Sequence, residues 1–98
     1  MKFQNLWKKT ILLTNPVGTG NLKLNQAYTN FDYLEIQVTN DSKTNASWNL
    51  YPVEEITLNK SINLGSNLDY YYGKFTSVTT FSMSSENCVI YKIVGIKI

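Results

Sequence analysis

Asn67, Asp69, Tyr70, Tyr71 and Tyr72 crowd one short stretch of the chain. Aromatic faces stack on the apolar face of a sugar ring, and amide or carboxylate oxygens bond its hydroxyls. The stretch therefore has the make-up of a ligand surface, apolar bodies with a few placed polar groups. Side chains alternate along a strand, so Tyr70 and Tyr72 share one side and Tyr71 takes the other. The plainer alternative packs one tyrosine inside and lays the others over the sheet or a subunit contact. Trp48 and Tyr51 fall on opposite parities of a second run. One is expected in the core, and the other could extend a surface platform or pack in an interface. Together Asn67, Asp69, Tyr70, Tyr71, Tyr72, Trp48 and Tyr51 form the candidate glycan surface.

Catalysis finds little to work with. The chain has no His, which removes the usual general base and the commonest metal ligand. A Ser nucleophile would lack its base, and the Gly-x-Ser-x-Gly elbow is absent. Glycoside hydrolysis needs two carboxyl groups roughly 5 to 9.5 Å apart across a sugar. Glu54 and Glu55 are adjacent and would point oppositely in a strand, and Asp69 has no evident mate. Asp32, Glu35 and Asp41 lack metal-ligand spacing. No enzyme activity, metal or cofactor is expected. Cys88, the single cysteine, cannot form an internal disulfide; beside Val89 and Ile90 it reads as a small buried hydrophobe.

Nucleic acid is a competing ligand. A small aromatic barrel of the OB type could stack the bases of a single strand. However, the net charge is only +2, all nine cations are Lys, and only Lys8 and Lys9 are neighbours. Phosphate tracking wants a basic stripe, for which Arg is the better fork. No nucleic-acid partner is expected.

The elements that must carry these residues are strands. With 98 residues the chain has the size of one domain with one modest core. Alanine occurs only at 27 and 46, whereas Ile, Val, Thr and seven Tyr abound, and branched and aromatic side chains suit a pleated, half-buried surface. Phe3, Leu6, Trp7 and Thr10 fall at helical spacing and suggest a short lead-in turn. Leu34, Ile36 and Val38 alternate with Tyr33, Glu35, Gln37 and Thr39, which predicts a strand with one buried and one wet face. Asn40 to Asn45 is a polar turn, and the run Ser47–Val53 then returns as the second arm of a hairpin. Pro52 ends that arm or marks it as an edge. Tyr70 to Tyr72 is closed by Gly73, and Phe75 to Met83 reads as one strand with Phe75, Phe81 and Met83 on one parity. From Val89 to Ile98 both parities are apolar. Ile90, Val94, Ile96 and Ile98 lie on one side, with Val89, Tyr91 and Ile93 on the other. Such a strand is central in a sandwich or covered by another subunit. The prediction is an all-β chain, an antiparallel β-sandwich of jelly-roll-like form with about eight short strands in consecutive order. Residues 1–8 would be a lead-in and 9–98 a single sandwich domain.

Leu6-Trp7, the Asn15-Pro16 loop, Phe31-Asp32-Tyr33-Leu34-Glu35-Ile36 and Tyr91-Lys92-Ile93-Val94-Gly95-Ile96-Lys97 together resemble the head domains that end tail-fibre and baseplate receptor-binding proteins in phages of Gram-positive bacteria. The resemblance spans nearly the whole chain, but its motifs are short and apolar. It implies a homotrimeric head at a fibre tip, adsorbing the virion to host cell-wall polysaccharide or a surface receptor. Residues 3–7 would join head to stalk, and Trp7, Val89, Tyr91 and Ile93 would face the neighbouring subunit. A start at Met1 departs from that picture and puts the stalk in doubt. Ile11 to Leu13 is too short for a signal-peptide core, and no run reaches the roughly 20 apolar residues of a membrane span. Synthesis in the host cytoplasm without a signal peptide, and no membrane insertion, are therefore expected. The alternative function is a purely structural module that trimerises or caps a fibre.

Overall fold

Alternation of apolar and polar residues yields eight strands in the computed structural model, which describes residues 8–17, 20–40, 46–64, 72–83 and 88–98. They are β1 (Lys8–Val17), β2 (Gly20–Lys23), β3 (Tyr33–Asn40), β4 (Ala46–Pro52), β5 (Ile62–Asn63), β6 (Tyr72–Ser77), β7 (Thr80–Met83) and β8 (Cys88–Lys97). Two antiparallel sheets of four result, ordered β1-β8-β3-β4 and β2-β7-β6-β5. The all-β sandwich is as expected. The order is not consecutive, because β8 inserts between β1 and β3 and β7 between β2 and β6. Among the described residues, helical structure is confined to 3-10 turns at Tyr28–Asn30 and Val53–Glu55.

The core lies between the sheets. Leu34, Ile36 and Val38 of β3 are buried in it, as their parity predicts. From the second sheet come Phe75, Phe81 and Met83. Phe75 stands edge-on to Phe81 at 4.8 Å between ring centres, and Tyr28 leans on it at 4.3 Å. Phe75 and Phe81 do not share one strand. A turn at Val78-Thr79 divides them into a hairpin, and register sets the two residues opposite each other across it. Two short backbone bonds seat the Tyr28 turn on that hairpin: Leu24 N–H to the Thr79 carbonyl at 2.8 Å, and Tyr28 N–H to the Val78 carbonyl at 2.9 Å. Gly73 does not close a strand. It lies inside β6, paired with Ile62 and Met83, because the Phe81 ring occupies the space a side chain would need.

Strand β8 is central, the first of its two expected settings. Its parity, however, is broken. Opposite β3 the register slips between Gln37 and Val38, which pair with Lys92 and Ile90, so Tyr91 is the extra residue. A bulge of one residue swaps faces. Ile90 and Ile93 therefore both enter the core, although simple alternation places them apart. Gly95 faces the Phe31 ring, so Val94 and Ile96 turn to the outer face of the sheet, where both are still buried. Gln37 and Thr39, expected on a wet face, are buried there as well; Gln37 Nε2 donates to Glu35 Oε1 at 3.2 Å. Near the chain end Asp32 Oδ2 accepts the Ile98 N–H at 2.8 Å, and its other oxygen lies 3.8 Å from Lys97 Nζ. That ion pair is exposed and contributes little.

Candidate functional site

The β3–β4 hairpin pairs without a slip, from Tyr33 with Pro52 to Thr39 with Ala46. It sends Tyr51 and Trp48 to opposite faces, as their parity requires. Tyr51 points between the sheets. Its hydroxyl donates to the Asn63 carbonyl at 2.8 Å, and two residues back Asn49 Nδ2 donates to the Leu64 carbonyl at 2.9 Å. These two bonds tie the edge of one sheet to the edge of the other. Trp48 lies on the outer face, 65% exposed, beside Leu50 at 50%.

Asn63 is a junction. Its carbonyl receives Tyr51, and it pairs in register with Tyr72 at the start of β6. Gly73 faces inward onto Phe81, so alternation turns Tyr72 to the outer face of the second sheet. Asn63 thus links Tyr51, through its carbonyl, and Tyr72, through the β5–β6 register. Trp48 does not join them, since it sits on the outer surface of the opposite sheet. The seven candidate ligand residues are therefore not one site. Asn67, Asp69, Tyr70 and Tyr71 lie outside the described residues; they precede Tyr72 directly in the chain.

A cleft of about 170 Å³ opens beside Tyr51, walled by Tyr51, Pro52, Ile56 and Ile62, with Glu55, Thr57, Lys60 and Ser61 as its polar groups; Asn63 and Tyr72 are not among its lining. The sequence reading missed the lining from 55 to 62. No spacing marks it, because a 3-10 turn and a reverse turn fold it back beneath the end of β4. Asn59 is the hinge of that return. It adopts a φ of 66°, a left-handed conformation that Asn tolerates better than most residues. Its N–H reaches the Phe75 carbonyl at 2.7 Å, which pins the turn to β6. Glu54 and Glu55 are exposed on the 3-10 turn and not in a strand, so the strand argument against their pairing does not apply. Around the other side of Pro52 a second depression of about 470 Å³ borders Phe31, Asp32, Tyr33 and Glu54.

Of the candidate subunit contacts, Trp7 lies outside the described residues. Val89 and Tyr91 belong to β8 by backbone, Val89 opposite Thr39 and Tyr91 at the bulge. Ile93 is a correction. It is 0% exposed within the single chain, because the bulge turns it into the core, and it has no surface left to offer a neighbour.

Burial pushes the Tyr51 phenol up to about 12 from its ordinary 10.0, and raises that of Tyr28. Both remain neutral donors at physiological pH. The unfolded chain releases these protons near pH 10 while the fold retains them. Between pH 10 and 12 the unfolded state therefore binds fewer protons, and stability falls as pH rises. The thermal midpoint should fall across that window. Tyr51→Phe should make the fall shallower and, below pH 10, cost about 0.5–1.5 kcal/mol for the lost hydrogen bond. Identical alkaline slopes for the two chains would mean that the Tyr51 phenol is not seated as described.

No family model matches this chain, and no curated protein matches it.

Proposed function

We propose that this chain is a non-catalytic binding head that adsorbs a phage particle to glycan on a Gram-positive host surface, and that the glycan docks at the corner shared by Tyr51, Asn63 and Tyr72. The observation that carries the site is the cleft beside that junction. It offers apolar walls and a few polar groups, Glu55, Thr57, Lys60 and Ser61, which is the composition small-ligand sites share. Its volume suits one small ring more than a long chain. Tyr72 stands next along the sheet, and the stretch holding Asn67, Asp69, Tyr70 and Tyr71 leads into it. The phage setting rests on the resemblance alone. Weak single sites of this kind gain avidity when several heads share one particle.

Binding of the full chain to a glycan array and to purified cell-wall polysaccharide tests the reading. Lys60→Ala removes a group that lines the cleft and should weaken binding roughly tenfold or more, whereas Tyr72→Ala, beside the lining, should weaken it less. Lys9→Ala, on β1 at the far edge of the other sheet, should leave it unchanged. No binding to any saccharide or cell wall would remove this function in favour of the purely structural module. Tight single-stranded DNA binding that collapses with added salt would instead favour the nucleic-acid reading.

A further inference from the structure

We infer that β4 is a self-pairing edge, and that two copies of this chain join β4 to β4 antiparallel about a twofold axis at Asn49. This does not rest on the glycan reading, although Pro52 belongs to both places, and it differs from the threefold assembly that the resemblance implies.

The four sheet edges are unequal. Edge β1 carries Lys8, Lys9 and Pro16 and is bent by two register slips. Edge β2 has four residues and β5 only two. Charges, bulges and shortness are the usual protections of an edge. Among the described residues, edge β4 has no charge, bulge or shortness of this kind, and its one protecting residue is Pro52 at its end. Its seven residues, Ala46–Pro52, pair with β3 in unbroken register and contain no charge.

The backbone groups of β4 that face away from β3 can be assigned. Val53 N–H donates to the Asp32 carbonyl at 2.9 Å, in line with the β3–β4 register. Backbone groups alternate direction along a strand. Ser47, Asn49 and Tyr51 therefore bond β3, whereas Ala46, Trp48, Leu50 and Pro52 aim theirs away from the sheet. The one N–H that Pro52 lacks is an outward one, which is why a proline fits in this strand.

Only one register overlaps all seven residues while pairing outward groups with outward groups. It sets Trp48 opposite Leu50 of the second copy, Leu50 opposite its Trp48, and Ala46 opposite its Pro52. About six interchain backbone hydrogen bonds result. The same register lays each exposed Trp48 against the other copy's exposed Leu50 on the outer face, an aromatic–aliphatic cross-strand pair. The uncharged edge meets itself without like-charge repulsion, which β1 would suffer through Lys8 and Lys9.

Sedimentation velocity and light scattering of the full chain test this. The mass should approach twice 11.2 kDa at concentrations in the roughly 10–100 µM range. Leu50→Pro removes an outward N–H and spares the β3 ladder, so it should yield a folded monomer. Leu50→Lys should weaken association at least tenfold, and an equimolar mixture of Leu50→Lys with Leu50→Glu should restore it at low salt. If Leu50→Pro does not fold, the Lys and Glu pair decides alone. A wild-type chain that stays at 11.2 kDa overturns the inference. So does a trimer mass, or a dimer that the Leu50 substitutions leave intact.

Discussion

Phe75→Ala is expected to lower the free energy of unfolding by about 3–5 kcal/mol, against a total of about 5–15 kcal/mol for a domain of this kind. The ring is fully buried and packs against the rings of both Tyr28 and Phe81. Removing it takes away its transfer free energy, both ring contacts and the packing that fills the middle of the second sheet. The neighbours cannot collapse into the gap. Tyr28 is held by its backbone bond to Val78, and Phe81 is held against Gly73. In urea the midpoint should fall by roughly 2–3 M, with little change in slope. Phe75→Leu, which keeps most of the volume, should lose less than half as much. A Phe75→Ala chain within 1 kcal/mol of wild type would mean that this ring is not the centre of the core.

The second large effect is the opposite kind of error, an added methyl. A Cβ on Gly73 would stand 2.6 Å from Cε2 of Phe81 and closer still to its Cζ. On Gly95 it would stand 2.6–2.7 Å from three atoms of the Phe31 ring. Neither clash is tolerable unless a ring moves. The two differ in whether it can. Phe81 is 0% exposed and backed by Phe75, whereas Phe31 is 8% exposed and borders the open depression beside Pro52. Gly73→Ala should therefore cost about 3 kcal/mol, and Gly95→Ala nearer 1 kcal/mol. Phe81→Leu in the Gly73→Ala background should recover part of the loss, because it withdraws the atoms that collide. If the order of the two glycines is reversed in thermal or urea melts, the contrast in ring freedom is wrong.

How much of this could be read in advance depends on where a residue's neighbours lie. Leu34, Ile36 and Val38 were legible because period two is a property of the local backbone. So was the opposition of Trp48 and Tyr51, and so was the pairing of their strand with β3. The break in β8 was not. Its bulge answers the registers of two other strands, and no run of ten residues carries that information. Ile93 was accordingly misplaced. The cleft escaped for the same reason, since its walls come from β4, β5 and a turn whose N–H is held by a β6 carbonyl. Tyr51 and Tyr72 come to one residue only because Asn63 pairs with Tyr72 and accepts from Tyr51.

Composition and alternation by themselves determined that this chain is all-β, roughly where its strands run, and which residues of β3 face inward. They act through neighbours in the chain, and those are present in any conformation. Tertiary structure alone decided the strand order, the faces of β8, the corner beneath Tyr51 and the place of β4, with its exposed Trp48 and Leu50, at the end of its sheet. Each of these is set by hydrogen bonds and contacts between distant segments, whose energies exist only once the two sheets have closed on each other.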